Sequence, residues 1–298
     1  MREDNKKRLR PDYEALDALS ALVHFRQYGR NAGRNDGSFP SVYRGQSMEF
    51  EDLRPYVPGD NLRDMDWKSS SRAGVAMVRT YVGERRKQIL FVGDVGKSMK
   101  GTMPDGSSKK ECELLTIGTA AYLSGRSGAD FSIICGAEWK SRLGHYSRGN
   151  AYLEECLNEL EDALYGGAEE DFSEKIADIL DYPIRGVSIC LVTDLKGLVE
   201  LPEKLLRAMA AGRECYVFEI SDANLGDAYH FDVFSDRLIP DFFGRNRGLK
   251  AALWERQQEL QDEVREKLRR CGAYYAYIEE LKEIPETVTK VLNGEITD

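Results

Sequence analysis

Three oxygen-bearing side chains follow two buried apolar runs, in positions where they could bind a metal ion. Asp94 and Ser98 come shortly after the run at 89–92, and Asp194 comes shortly after the run at 187–192. Because ligands of an open parallel sheet bind at the carboxyl ends of its strands, we expect these side chains to share one edge. Two carboxylates and a hydroxyl supply part of the oxygen shell that a hard divalent cation prefers. A divalent-metal site is therefore one interpretation of this edge.

The loop at 94–98, with the sequence DVGKS, resembles the Asp-x-Ser-x-Ser metal-binding loop of von Willebrand factor A domains. Gly96 replaces the first Ser, so one hydroxyl ligand of the family is missing. The resemblance implies two later ligands, a Thr whose place falls on Asn150 and an Asp whose place falls on Asp194. Asn150 offers a carbonyl oxygen but no hydroxyl. The degenerate site, for which Mg²⁺ is the candidate cofactor, would consist of Asp94, Ser98, Asn150 and Asp194.

The same loop does not match phosphate-binding loops. Residues 96–98 have the GKS ending of a P-loop, but Phe91 occupies the position where that motif requires a Gly. No G-x-G-x-x-G follows a predicted strand, so a dinucleotide site has no support either. A role without a ligand stays open, because Asp94 and Asp194 could instead cap helices or turns at the sheet edge.

The elements that must position these residues begin near residue 87, where short apolar runs alternate with helical stretches. Apolar runs without polar alternation are typical of strands that helices bury on both faces. Their order predicts an α/β fold with a doubly wound, mostly parallel sheet of the Rossmann type, similar to von Willebrand factor A domains. The predicted strands are at 89–92, 131–135, 187–192, 216–220 and 273–278, and the predicted helices at 111–125, 151–164, 172–180, 202–211 and 249–271.

Three further features complete the predicted organisation. Residues 11–28 place apolar side chains on one helical stripe, before a Gly-rich loop. Residues 138–143 follow a two-residue link and are predicted as an antiparallel edge strand. Residues 222–248 interrupt the alternation and are predicted as an insertion with a small β element. The segments are an N-terminal helix and loop at 1–38, a β-rich segment at 39–86 and the α/β domain at 87–298.

The segment at 44–86 carries a dense pattern of arginines, acidic residues and aromatics. The pattern resembles the signature of a bacterial family known as domain of unknown function 58, in which it leads into a von Willebrand factor A-like domain. One departure is Ser71, where the family usually has Ala. The matching positions are Arg44, Gly45, Glu49, Phe50, Arg54, Tyr56, Gly59, Asp60, Arg63, Asp66, Trp67, Arg72, Gly74, Val78, Arg79, Tyr81, Glu84 and Arg85.

These charges also have a physical interpretation that does not depend on the family. Arginines and carboxylates beside aromatics are expected to pair, because an unpaired desolvated charge is costly. Such a network would join the β-rich segment to the α/β domain, form a docking surface for a partner, or hold a phosphate or a nucleic acid. Its members would be Arg44, Glu49, Arg54, Asp60, Arg63, Asp66, Trp67, Arg72, Arg79, Glu84 and Arg85.

The family resemblance implies a protein-binding role. Members of the family look like partners of MoxR-type AAA+ ATPases, with a chaperone-like or adaptor-like role. No catalytic activity is firmly assigned to the family. The chain is therefore expected to be a non-enzymatic adaptor that binds an AAA+ ATPase or its target through the strand-end face. The alternatives are a divalent-metal-dependent enzyme and a structural interaction protein in which the loop is vestigial.

Composition narrows the function classes further. Acidic residues outnumber basic ones by 51 to 42, so nucleic acid is not the expected partner. The six cysteines show no CxxC or zinc spacing, which favours reduced thiols. No apolar run of ~18 residues and no signal core are present, which predicts a cytoplasmic protein without membrane insertion. None of His24, His145 and His230 is an evident base for Ser98, so catalysis is not expected.

Overall fold

The computed structural model consists of two compact units, a larger one formed by Met1–Arg26 with Lys87–Asp298 and a smaller one formed by Gln27–Arg86. The larger unit thus includes the N-terminal helix. The residues that the structure describes are 8–25, 48–57, 64–83, 86–136, 139–166, 170–182, 184, 186–223, 231–232, 237–238 and 247–295.

Strands and helices alternate along most of the described chain. The strands are β1 (Met48–Pro55), β2 (Met77–Gly83), β3 (Gln88–Gly93), β4 (Asp130–Ile134), β5 (Val187–Asp194), β6 (Cys215–Ile220), β7 (Phe231–Asp232), β8 (Arg237–Leu238) and β9 (Tyr274–Ile278). The helices are α1 (Tyr13–Ser20), α2 (Trp67–Ala73), α3 (Lys109–Arg126), α4 (Asn150–Tyr165), α5 (Phe172–Leu180), α6 (Leu195–Glu200), α7 (Glu203–Ala210), α8 (Arg247–Cys271) and α9 (Ile284–Leu292). Short 3₁₀ turns lie at Lys97–Lys100, Trp139–Ser141 and Leu281–Glu283. Within the described ranges, every helix is too short or too polar to cross a membrane.

The sheet of the larger unit confirms the predicted doubly wound α/β fold. Its order among the described residues is β4-β3-β5-β6-β9, and every neighbouring pair is parallel. The chain places β4 on one side of β3 and then returns to place β5 on the other side, so the direction of winding changes at β3. Ligands of such folds bind at the carboxyl ends of the strands beside this switch point. A site is therefore expected where β3 and β5 end.

Helices cover both faces of this sheet. Ile89 and Phe91 of β3 belong to an apolar core shared with α1, α3, α4 and α9, whereas Leu90 belongs to a second core shared with α5, α6, α7 and α8. All three side chains are fully buried. Because successive side chains of a strand point to opposite faces, β3 has to be apolar on both. This is why an unbroken apolar run correctly predicted the strand.

The predicted antiparallel edge strand at 138–143 is wrong. Trp139–Ser141 form a 3₁₀ turn, and residues 137–138 lie outside the described residues. Trp139 is buried in the second core and packs edge-on against Tyr182, so the chain turns inward here. Within the described ranges, the antiparallel pairing beside β4 is one isolated bridge, from Ser147 to Phe131.

The N-terminal helix is shorter than the predicted stripe at 11–28. The α1 helix begins after Asp12, whose side chain accepts a hydrogen bond from Ala15 N, and it ends at Ser20. Leu16 is buried, whereas Leu22 is 56% exposed. Only the first part of the stripe is therefore helical, and residues 26–28 lie outside the described residues.

The smaller unit contains an antiparallel pair, β1 and β2, with α2 between them along the chain. Asp66 caps α2 by accepting a hydrogen bond from Ser69 N at 2.8 Å. Gly74 ends the helix with a φ of 70°, a conformation that glycine adopts without strain. β1 and β2 agree with the β-rich segment predicted at 39–86, whereas the helix α2 within it was not predicted.

Two other predicted features are only partly within the described residues. The insertion at 222–248 contains β7 and β8, which form a short antiparallel pair and agree with the predicted β element. The predicted boundary between residues 38 and 39 lies outside the described residues.

Candidate functional site

The sheet brings Asp94 and Asp194 to the same edge, as their positions after two strands predict. Gly93 of β3 is level with Val192 of β5, so Asp94 lies beside Thr193. Asp94 is 3% exposed and Asp194 is fully buried. The Thr193 hydroxyl donates to Asp94 Oδ2 at 2.5 Å, and Gly96 N donates to Asp94 Oδ1 at 2.8 Å. Both carboxylate oxygens of Asp94 therefore have donors from the protein itself.

Asp194 forms the cap of α6, which begins directly after it. Its Oδ1 accepts a hydrogen bond from Gly197 N at 3.0 Å. A Cβ atom on Gly197 would lie 2.1 Å from Thr193 Oγ1 and 3.0 Å from Asp94 Oδ2. The first turn of α6 can therefore approach Thr193 and Asp94 this closely only because residue 197 is a glycine. This cap agrees with the interpretation of Asp194 that requires no metal.

A buried cation lies beside Asp194: Lys109, the first residue of α3. Its side chain is 2% exposed, and its Nζ lies 2.8 Å from Asp194 Oδ2 while also pairing with Asp222. The Ser98 hydroxyl is hydrogen-bonded to Asp194 as well. Burial raises the pKa of Asp194, but the charge and hydrogen bond of Lys109 outweigh it, so the net shift is downward.

A second buried lysine and a buried glutamate contact the end of β3 at Gly93 and Asp94. Lys175 of α5 donates to the Gly93 carbonyl at 3.1 Å and pairs with Glu170 at 2.5 Å. Glu113 of α3 accepts a hydrogen bond from Asp94 N at 2.6 Å through Oε1, and its Oε2 has no hydrogen-bond partner among the described residues. We call Asp94, Glu113, Thr193, Asp194, Lys109 and Lys175 the strand-end cluster.

The protonation states in the strand-end cluster follow from this geometry. Burial, together with the charge of Asp194, raises the pKa of Asp94 to about 6, although the donors from Thr193 and Gly96 act in the opposite direction. Burial and the charge of Asp94 raise the pKa of Glu113 well above its usual value. The site of Glu113 therefore favours the neutral carboxyl, and ionised Asp94 has a large desolvation cost.

The structure does not bring Asn150 to the strand-end cluster. Ser147 bridges to Phe131 near the amino end of β4, and Arg148 pairs with Asp130 at 3.6 Å. Asn150 follows these residues and is exposed, so it lies at the amino-end edge of the sheet. The expectation that the side-chain carbonyl of Asn150 is a metal ligand does not agree with this placement. Between β4 and α4 the chain returns to the amino end of β4.

The residues present do not fit a divalent metal. Both oxygens of Asp94 accept internal hydrogen bonds, and the ammonium group of Lys109 contacts Asp194 where an ion would bind. Among the described residues, no group of three or more His, Cys, Asp or Glu is arranged to hold a metal ion.

Lys109, Glu113 and Lys175 were not predicted from the sequence. A signal was present, because Glu113 lies in the α3 stretch of mostly buried residues, between Cys112 and Leu114. A charged residue in such a stretch indicates a buried partner. Its partner is more distant along the chain, which is why the sequence alone did not identify it.

The Arg/Asp-rich segment is described only in part. Asp66 pairs with Arg79 at 2.9 Å, and Arg54 Nη1 donates to the Pro55 carbonyl at 3.3 Å. Trp67 is 70% exposed, and Arg72 lies in the last turn of α2. For Glu49 only the strand position in β1 is described. The remaining predicted members lie outside the described residues: Arg44, Asp60, Arg63, Glu84 and Arg85.

Histidines do not join the strand-end cluster within the described chain. His145 is exposed and lines an open cleft of about 480 Å³ together with Arg142 and Tyr152. His24 is exposed and its Nδ1 contacts the Leu22 carbonyl, whereas His230 lies outside the described residues. Ser98 is hydrogen-bonded to Asp194 and not to an imidazole.

Comparison with known proteins agrees with the signature at 44–86. The solved structures to which the chain is similar include BatB, a conserved hypothetical protein from Bacteroides thetaiotaomicron (15% identity, 69% of this chain, 98% of that chain, TM-score 0.40). They also include a von Willebrand factor type A protein from Catenulispora acidiphila (12% identity, 73% of this chain, 43% of that chain, TM-score 0.41). No curated protein matches the sequence. The family model described as "Protein of unknown function DUF58" matches residues 52–227, which is more than half of the chain. The chain therefore belongs to the DUF58 family.

Proposed function

We propose that this chain is a non-enzymatic protein-binding adaptor whose partner is a MoxR-type AAA+ ATPase or a target of that ATPase. The partner would dock on the strand-end face, which we define by Lys97 of the 3₁₀ turn and by Lys196 and Val199 of α6. The resemblance at 44–86 suggests the partner class. The observation that carries the location is that this edge buries Asp94 and Asp194 and exposes these lysines and this valine.

The strand-end cluster supports binding over catalysis. Asp94 and Asp194 are buried and engaged by Thr193, Gly96, Gly197 and Lys109, so they are not presented to a substrate. A nucleophile needs a positioned base, and Ser98 is paired with a carboxylate that itself binds a lysine. A rigid, internally neutralised edge is suited to hold a docking surface in place.

The charge of the exposed residues suggests the partner's chemistry. Lys97 and Lys196 are exposed on the loop after β3 and at the start of α6, and Val199 is 41% exposed. The chain as a whole has a formal net charge of −9, and Lys196 also lies 3.7 Å from Glu200, so the two exposed lysines give this edge local positive charge on an acidic chain. An acidic segment of the partner would approach such an edge favourably. The free cysteines agree with a role in the cytoplasm.

The proposal is tested by biolayer interferometry with the purified MoxR-type ATPase from the same genome. We expect wild type to bind, and the Lys97→Glu/Lys196→Glu variant to bind at least about tenfold more weakly, since two charge reversals act at one edge. The matched control is Arg269→Glu, a charge reversal at the 74% exposed Arg269 in the last turn of α8, which leads into the amino end of β9.

Two results would contradict the proposal in different ways. Absence of binding by wild type would exclude this ATPase as the partner. Equal weakening by Lys97→Glu/Lys196→Glu and by Arg269→Glu would exclude the strand-end face as the docking surface.

A further inference from the structure

A lysine side chain stands among the carboxylates where the resemblance to von Willebrand factor A domains would place a metal ion. We propose that the ammonium group of Lys109 substitutes for the divalent cation, so that the strand-end cluster is complete without metal. Lys109 comes from α3, Asp194 from the end of β5, and Asp222 from the segment that follows β6. One cation thus joins three segments that are distant in sequence, as a bound metal ion would.

The position of Lys109 is explained by these carboxylates and not by the helix. A cation in the first turn of a helix faces the positive end of the helix dipole, which is unfavourable. A lysine that is 2% exposed also gives up most of its hydration, which is costly unless anions replace the water. Asp194 and Asp222 supply those anions, and the interaction with Asp194 lies entirely within the protein.

The neighbouring residues leave no shell for an additional divalent ion. Asp194 Oδ2 contacts Lys109, and Asp194 Oδ1 accepts from Gly197 N. An ion bound to Asp194 would lie within a few ångströms of the ammonium group and be repelled by it. Residue 96 offers no hydroxyl, and a Cβ there would lie only 2.9 Å from Asp94 Oδ1. Residue 96 therefore adds no oxygen ligand to the carboxylates that Lys109 neutralises.

The inference is independent of the proposed partner, and its test needs none. Manganese binding is measured on the full chain by electron paramagnetic resonance, and thermal unfolding is followed with and without Mn²⁺. We expect wild type to retain no Mn²⁺ at millimolar concentration and to keep the same Tm. In Lys109→Ala the carboxylates lose their cation, so we expect a lower Tm that Mn²⁺ partly restores and binding at roughly millimolar Kd or tighter.

Lys175→Ala is the matched control, because Lys175 is equally buried but contacts the Gly93 carbonyl and Glu170 instead of Asp194. We expect it to lose stability without acquiring Mn²⁺ binding. If Lys109→Ala does not fold, Lys109→Gln takes its place, since its amide can still donate to one carboxylate oxygen while the charge is gone.

Three results would overturn the inference. The first is Mn²⁺ binding by wild type with a rise in Tm. The second is a folded Lys109→Ala or Lys109→Gln variant that acquires no Mn²⁺ binding. The third is Mn²⁺ binding acquired equally by Lys175→Ala, which would show that the position of the ammonium group does not matter.

Discussion

The strand-end cluster and the smaller unit both use ion pairs, but in opposite environments. Lys109 and Asp194 are 2% and 0% exposed, whereas Arg79 and Asp66 are 47% and 13% exposed. Exposed pairs contribute little to stability, while breaking one half of a buried pair leaves an uncompensated charge. The segment that is most conspicuous in the sequence is therefore expected to matter less for stability than a cluster whose lysines and glutamate the sequence did not indicate.

The largest expected effect comes from breaking the buried pair. Asp194→Ala leaves the ammonium group of Lys109 with the partly exposed Asp222 alone and removes the cap of α6. We expect the free energy of unfolding to fall by about 3–5 kcal/mol, the usual cost of removing one partner of a buried pair. Urea unfolding measures it, and a loss below about 1 kcal/mol would mean that Lys109 is not buried in solution.

The next largest effect concerns the close approach of α6. Alanine normally stabilises a helix relative to glycine, but in Gly197→Ala the new Cβ would lie 2.1 Å from Thr193 Oγ1. We expect a loss of about 2–3 kcal/mol from overpacking. In a Thr193→Ala background the same substitution should cost clearly less, and equal costs in both backgrounds in urea unfolding would show that the two side chains do not meet.

A smaller effect on stability depends on pH and reports on the ionisation of Asp94. Burial raises its folded pKa to about 6, and the groups that face it are Asp194, Glu113 and Lys175. A raised pKa means that protonation stabilises the fold, fully at pH values below that of the unfolded carboxyl, about 4, and that this stabilisation is lost as pH rises through about 6.

The side chain introduced by Asp94→Asn stays neutral at all these pH values. We therefore expect the free energy of unfolding of the variant, relative to that of wild type, to increase by about 2 kcal/mol from pH 4 to pH 7. Urea unfolding at several pH values measures the difference. The control is Asp178→Asn on α5, where the aspartate side chain is 54% exposed and should show no such trend. Parallel pH profiles of wild type and Asp94→Asn would contradict the buried, ionised state of Asp94.

The smallest effect is expected in the smaller unit. Asp66→Ala removes the cap from Ser69 N and the ion pair with Arg79, both close to solvent. We expect faster hydrogen exchange at the Ser69 amide and a change in global stability well below that of Asp194→Ala. Arg79→Ala is the control, because it removes the ion pair and keeps the cap. A global loss as large as that of Asp194→Ala would reverse the comparison between the two regions.

Local patterns in the sequence determined the fold and the place of the site. Unbroken apolar runs such as 89–92 predicted strands buried on both faces, and strand order predicted that Asp94 and Asp194 share an edge. The signature at 44–86 predicted the family. These inferences succeeded because periodicity, strand ends and motif spacing are properties of neighbouring residues.

Only the tertiary structure decided what surrounds those two aspartates. It placed Lys109, Glu113 and Lys175 in the strand-end cluster, and it placed Asn150 at the opposite edge of the sheet. Where the sequence predicted an edge strand, the structure has a turn with a buried Trp139. A buried charge is neutralised by whichever groups packing brings within a few ångströms, and that choice depends on crossovers between distant segments, not on sequence spacing.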